Sequence, residues 1–199
     1  MKPYRQYCNN TCRDLMAHIL IPKEIAAEEP CIRCIKPDKM KKTRILPDAM
    51  FPREGSCDAS LLRLNYTTLD FCVQHGKSLD SNSCLGGLVK FSQSLVDSVN
   101  QWATTDDSEV VDDRTKEKAP CGICAHVEYS PVDNGGYVDK NQNYYTDSPI
   151  THPMHADLMF HEPLEHGLVR IRMRKYANQL IKLAHKVIMT DGVLGEWVV

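Results

Sequence analysis

The sequence predicts a mainly α-helical protein with irregular, zinc-stapled segments and a small β element, the alternative being an α+β arrangement. Three observations carry that expectation. Apolar residues recur at three- and four-residue steps over 88–103, at Leu88, Phe91, Leu95, Val99 and Trp102. A longer stretch, 167–189, places Val169, Met173, Tyr176, Leu180, Leu183 or Ala184, and Val187 on one stripe, with Gly192 as its stop. Finally, the 199 residues include nine cysteines, several closely spaced, and an odd number cannot be fully paired in internal disulfides.

The remaining elements follow in chain order. Residues 13–21 (RDLMAHILI) read as a short helix, with Leu15, Met16, Ile19 and Leu20 on one face and Pro22 ending the run. A further helical turn is expected over 23–29. Pro47, Pro52 and Gly55 make 45–56 a loop or boundary. The pattern leans to helix near 58–64 and to strand near 69–73. Residues 106–118 are strongly charged and read as a solvated acidic linker. The expected organisation is a zinc-stapled module over 1–105 ending in an amphipathic helix, that linker, and a Cys/His module over 119–199 with a basic amphipathic C-terminal helix. Turn formers crowd 130–151, a loop or hairpin around Asn134, Gly135 and Gly136.

Zinc is the cofactor that the cysteines suggest. Cys8-x3-Cys12 and Cys31-x2-Cys34 have the general layout of a four-thiolate site, because a close pair puts two sulfurs within reach of one ion and a second pair closes the tetrahedron. Such a site contributes on the order of 10 kcal/mol to folding. Cys121-Gly-Ile-Cys124 is a second knuckle, with Gly122 suited to a tight turn. Downstream histidines complete it, with His152 and His155 the first choice and His126, His161 and His166 competing. Cys57, Cys72, His75 and Cys84 form a looser third set, in which Cys72 also reads as a core thiol. The Cys121–Cys124 step is similar to a fragment of the nickel–iron hydrogenase signature, but Ala119 and Glu128 stand where that signature has arginine and histidine, which excludes it.

The net charge of −2 points to no partner, but two local runs are basic. One carries Lys39, Lys41, Lys42 and Arg44 just after the first knuckles. The other carries Arg170, Arg172, Arg174 and Lys175 on the long helix. Cations that neutralise phosphates release counterions, so both runs fit nucleic acid, and both also fit an ordinary solvated face. The function expected is a non-enzymatic, zinc-binding regulatory protein associated with nucleic acid. By composition alone it is comparable to viral accessory or transcription-associated factors. One alternative is a protein-interaction or self-assembling adaptor, with purely structural zinc and a partner on the C-terminal helix or on Trp197. Another is a zinc hydrolase built on 152–166, with Glu162 or Glu165 as general base. The N-terminus lacks a secretory h-region and no apolar run has transmembrane length, so the expected location is the cytoplasm or nucleus, with no membrane partner.

Overall fold

A computed structural model describes residues 22, 24–52, 54–79, 82, 84–112, 114–130, 132–133, 150–152, 154–190 and 192–199. The helix expected at 13–21, the expected ligands Cys8 and Cys12, and the expected turn around Asn134 lie outside these residues.

The mainly helical expectation is overturned. Among the described residues the chain is organised by a seven-stranded antiparallel sheet, with three two-stranded sheets beside it. The strands are β1 (Cys31–Ile35), β2 (Asp58–Arg63), β3 (Gly87–Phe91), β4 (Ala125–Tyr129), β5 (His155–Phe160), β6 (His185–Thr190) and β7 (Val193–Leu194). Across the sheet their order is β7-β6-β3-β1-β2-β5-β4. Strands from both sides of the charged 106–118 segment therefore share one sheet. Three α-helices are described: α1 (Leu69–Ser78), α2 (Gln93–Trp102) and α3 (Leu168–Leu183).

Several elements exchange identity with their expected form. Residues 58–63 are strand and 69–78 are helix, the reverse of the sequence reading. The helix starts at 69 because the Thr68 hydroxyl accepts the Phe71 N–H at 3.1 Å. The 88–103 repeat divides in two. Gly87–Phe91 is a strand, and the helix begins only after Ser92, whose hydroxyl accepts the Leu95 N–H at 3.4 Å. The long C-terminal repeat divides likewise: α3 ends at Leu183, Ala184 is extended, and the chain returns to the sheet as β6. Over the described residues 24–29, where the sequence predicts a helical turn at 23–29, there is a turn and no helix.

Side-chain alternation sorts the strands onto two faces. One face packs beneath α2, α3 and the 3-10 turn Pro47–Met50, burying Ala59, Leu61, Val89, Phe91, Val127, Leu158, Phe160, Met173, Tyr176 and Leu180 in one cluster. The other face meets α1, with Ile32, Leu62, Phe71, Leu88 and Val187 in a smaller cluster to which Leu194 and Trp197 add. The α3 stripe is thus spent on its own sheet, and Trp197 lies on the second core under the Lys90 ammonium, 4.6 Å from the ring centroid. No helix among the described residues is long and apolar enough to cross a membrane.

Two polar devices frame the sheet. Arg63, 0% exposed, is paired with Glu29 through Nε at 2.5 Å and Nη2 at 2.8 Å, and lies between the rings of Tyr66 and Tyr129. The fork geometry satisfies a buried pair that would otherwise cost several kcal/mol in desolvation. At the outer edge of β4, α2 stands in for a missing strand. Asn100 accepts the Ala125 N–H at 3.0 Å and donates to its carbonyl at 2.8 Å, while Gln93 accepts the Val127 N–H at 2.6 Å.

Candidate functional site

Cysteine placement follows from the strand period. Cys31 and Cys34 are three residues apart on β1, so their side chains take opposite faces. Cys31 is buried in the α2–α3 core and Cys34 packs into the α1 core. In this arrangement the two thiols do not address one point. Cys34 instead donates its S–H to the Cys72 carbonyl at 3.4 Å. Burial pushes the thiols of Cys31, Cys34 and Cys72 up to about 12, so all three are neutral at ordinary pH.

Cys121 is fully buried, while Cys124 is half-buried on the run leading into β4. Gly122 has φ +60°, in the left-handed region that favours glycine. Its surroundings explain the requirement further, since a Cβ there would stand 2.9 Å from an Arg172 guanidinium nitrogen. That guanidinium also donates to the Cys121 carbonyl. Burial raises the Tyr176 hydroxyl pKa, and the thiols of Cys124 and Cys121 add to the effect. Of the third set, Cys72 is buried in α1, His75 stacks on Phe71 at 6.0 Å, Cys57 is half-buried and Cys84 is exposed. Among the described residues, no three His, Cys, Asp or Glu side chains converge closely enough to hold a metal ion.

His152 is on the short strand Ile150–His152, and only its backbone is described. His155 opens β5 on the sheet face opposite the Cys121 core, which carries Ala156, Leu158 and Phe160. There it joins a polar cluster that the sequence reading did not assemble. Its Nδ1 contacts the Ser130 carbonyl at 2.6 Å and the Ser130 hydroxyl at 3.1 Å. That hydroxyl donates to Asp157 Oδ2 at 2.5 Å. Asp157 pairs in register with Ser60 on β2 and with Glu128 on β4, so all three occupy one face. The readable signal was His-x-Asp on a strand, because a two-residue step returns to the same side. Near the other end of the same β4–β5 ladder, His126 and His161 meet edge to face at 5.5 Å.

The two basic runs have different environments. On α3, Arg170 and Arg174 both engage Asp48, at 3.0 and 3.3 Å, and Arg172 engages Glu162 at 3.3 Å. Lys175, with Lys182, Trp102 and Asp107, lines an open cavity of about 570 Å³. By contrast, the first run is a hairpin of Met40–Lys41 against Arg44–Ile45, turning at Lys42 with φ +56°. Lys36, Lys41, Lys42 and Arg44 are exposed, and Lys41 and Arg44 are direct cross-strand partners. Just before the hairpin, Asp38 pairs with Lys39 at 3.2 Å.

No protein-family model, no curated protein and no solved structure matches the chain.

Proposed function

We propose that this chain is a non-enzymatic regulatory protein that associates with nucleic acid, gripping phosphates with the hairpin at 36–44. The observation that supports this reading is the direct opposition of Lys41 and Arg44. Like charges across a ladder destabilise a hairpin, and a polyanion laid over them removes that cost. Lys36 and Lys42 extend the same exposed cationic surface. The arginines of α3 contribute less to it, because Asp48 and Glu162 already neutralise them.

Binding of a random-sequence duplex, followed by fluorescence anisotropy over a salt series, tests the reading. Four phosphate contacts give a log–log salt slope of about −3.6. Reversing Lys41 and Lys42 to glutamate weakens binding equally across sequences and reduces the slope by about 2. Lys41→Glu also places a carboxylate opposite Arg44, so the variant folds at least as stably as the parent while binding worse. Affinity that is insensitive to salt, or unchanged by the double reversal, refutes the proposal.

A further inference from the structure

We propose that His155 and Asp157 are two ligands of a divalent metal ion of the zinc class, held on the polar face of β5, with Glu128 as the third. A carbonyl oxygen only accepts, so the 2.6 Å contact to Ser130 O puts the imidazole hydrogen on Nδ1. The Ser130 hydroxyl spends its hydrogen on Asp157 Oδ2. What remains is Nε2 of His155 and Oδ1 of Asp157, which stand 3.8 Å apart.

That separation is too long for a hydrogen bond. Asp157 is 9% exposed, and its buried Oδ1 makes no hydrogen bond. A buried carboxylate oxygen without a hydrogen bond is destabilising. A cation between the two atoms removes that cost. Nitrogen and oxygen ligands bound to one zinc at about 2.0–2.2 Å stand roughly 3.4 Å apart in tetrahedral geometry, so a closure of a few tenths of an ångström suffices. The outer bonds are already those that orient metal ligands: an imidazole N–H on a backbone carbonyl, and a hydroxyl on the carboxylate.

Glu128 supplies the third oxygen. It is the register partner of Asp157, on the same face, with Cβ atoms about 5 Å apart. Its carboxylate now lies 3.7 Å from His126 Nε2, and the side chain is 59% exposed. A rotamer change therefore brings it to the ion without moving the backbone. The ligand set is imidazole plus carboxylates and leaves the cysteines uninvolved.

Titration of the whole, reduced chain with Co(II), and with Zn(II) in competition, is the test. The expected result is one equivalent bound with visible d–d bands and no thiolate charge-transfer absorption. Asp157→Asn and His155→Gln each weaken it by at least tenfold. Ser130→Ala, which keeps the carbonyl and removes only the carboxylate's donor, weakens it about 10–100-fold. Glu128→Gln, on the exposed side, weakens binding in a protein whose circular dichroism is unchanged, which separates ligand loss from unfolding. No bound metal, a thiolate band on that equivalent, or affinity unchanged in Ser130→Ala and Glu128→Gln overturns the site.

Discussion

One face of the sheet contains two regions that a sequence reader would both take for metal sites, and they differ in how they treat their donor atoms. Beneath α1, Cys34 and Cys72 lie among Ile32, Leu62, Leu88 and Val187. Burial keeps these thiols protonated, and Cys34 gives its hydrogen to a backbone carbonyl. Toward β4 and β5 the same face carries Ser60, Glu128, His155 and Asp157, where the Ser130 hydroxyl and carbonyl hold the carboxylate and the imidazole. Residue type alone does not separate the two. The first region spends its sulfurs as small hydrophobes, and the second leaves the buried Asp157 Oδ1 without a hydrogen bond.

The contrast breaks first at Gly76. A Cβ there would stand 2.6 Å from Leu85 Cδ1 and 3.2 Å from Cys34 Sγ. Gly76→Ala therefore pushes α1 off the sheet and costs about 2 kcal/mol, seen as a lower urea midpoint at unchanged m. Cys34→Ser is the next largest effect. It places a hydroxyl in the apolar seam and costs about 1 kcal/mol in the same assay. Alkaline titration follows. The thiols of Cys34 and Cys72 rise from 9.0 to about 12 on folding. Their contribution to stability is complete below pH 9 and is lost as pH climbs from there through 12. Thermal midpoints should fall over that window, and more shallowly in Cys34→Ala than in the parent. The smallest effect belongs to the polar region: Glu128→Gln in metal-free protein should stay within about 0.5 kcal/mol of the parent. A large loss there would make Glu128 part of the fold's support and erase the distinction.

How much of this was legible varied with how each strand is buried. Strands β1, β3 and β5 are covered on both faces, so they lack the polar–apolar alternation that announces a half-buried strand. In 88–103, Leu88 and Phe91 happen to fall on helical steps with Leu95, so a strand and a helix merged into one apparent repeat. In 167–189 the β6 segment continued the α3 stripe for the same reason. Helix stretches whose period is truly 3.6, such as Leu95–Trp102 and Val169–Leu180, were readable. For the site, spacing alone suggested a Cys31–Cys34 knuckle, and the strand sends its two sulfurs to opposite faces. The residue type singles out His155 but not its neighbours, because Ser130 meets it, and Glu128 meets Asp157, only through the β4–β5 register. The reach of Asp48 to Arg170 and Arg174 likewise spans the fold and leaves no local trace.

The amide side chains along β4 have a kinetic meaning. Backbone N–H groups on the rim of a sheet ordinarily exchange with solvent quickly, since nothing covers them. Here the Ala125 and Val127 hydrogens are held by Asn100 and Gln93, so they exchange only when α2 swings away. Two slow-exchanging amides at an outer rim thus become a direct gauge of how often that helix lets go. Tyr176, which donates to the same Asn100 oxygen at 2.8 Å, ties the reading to α3 as well.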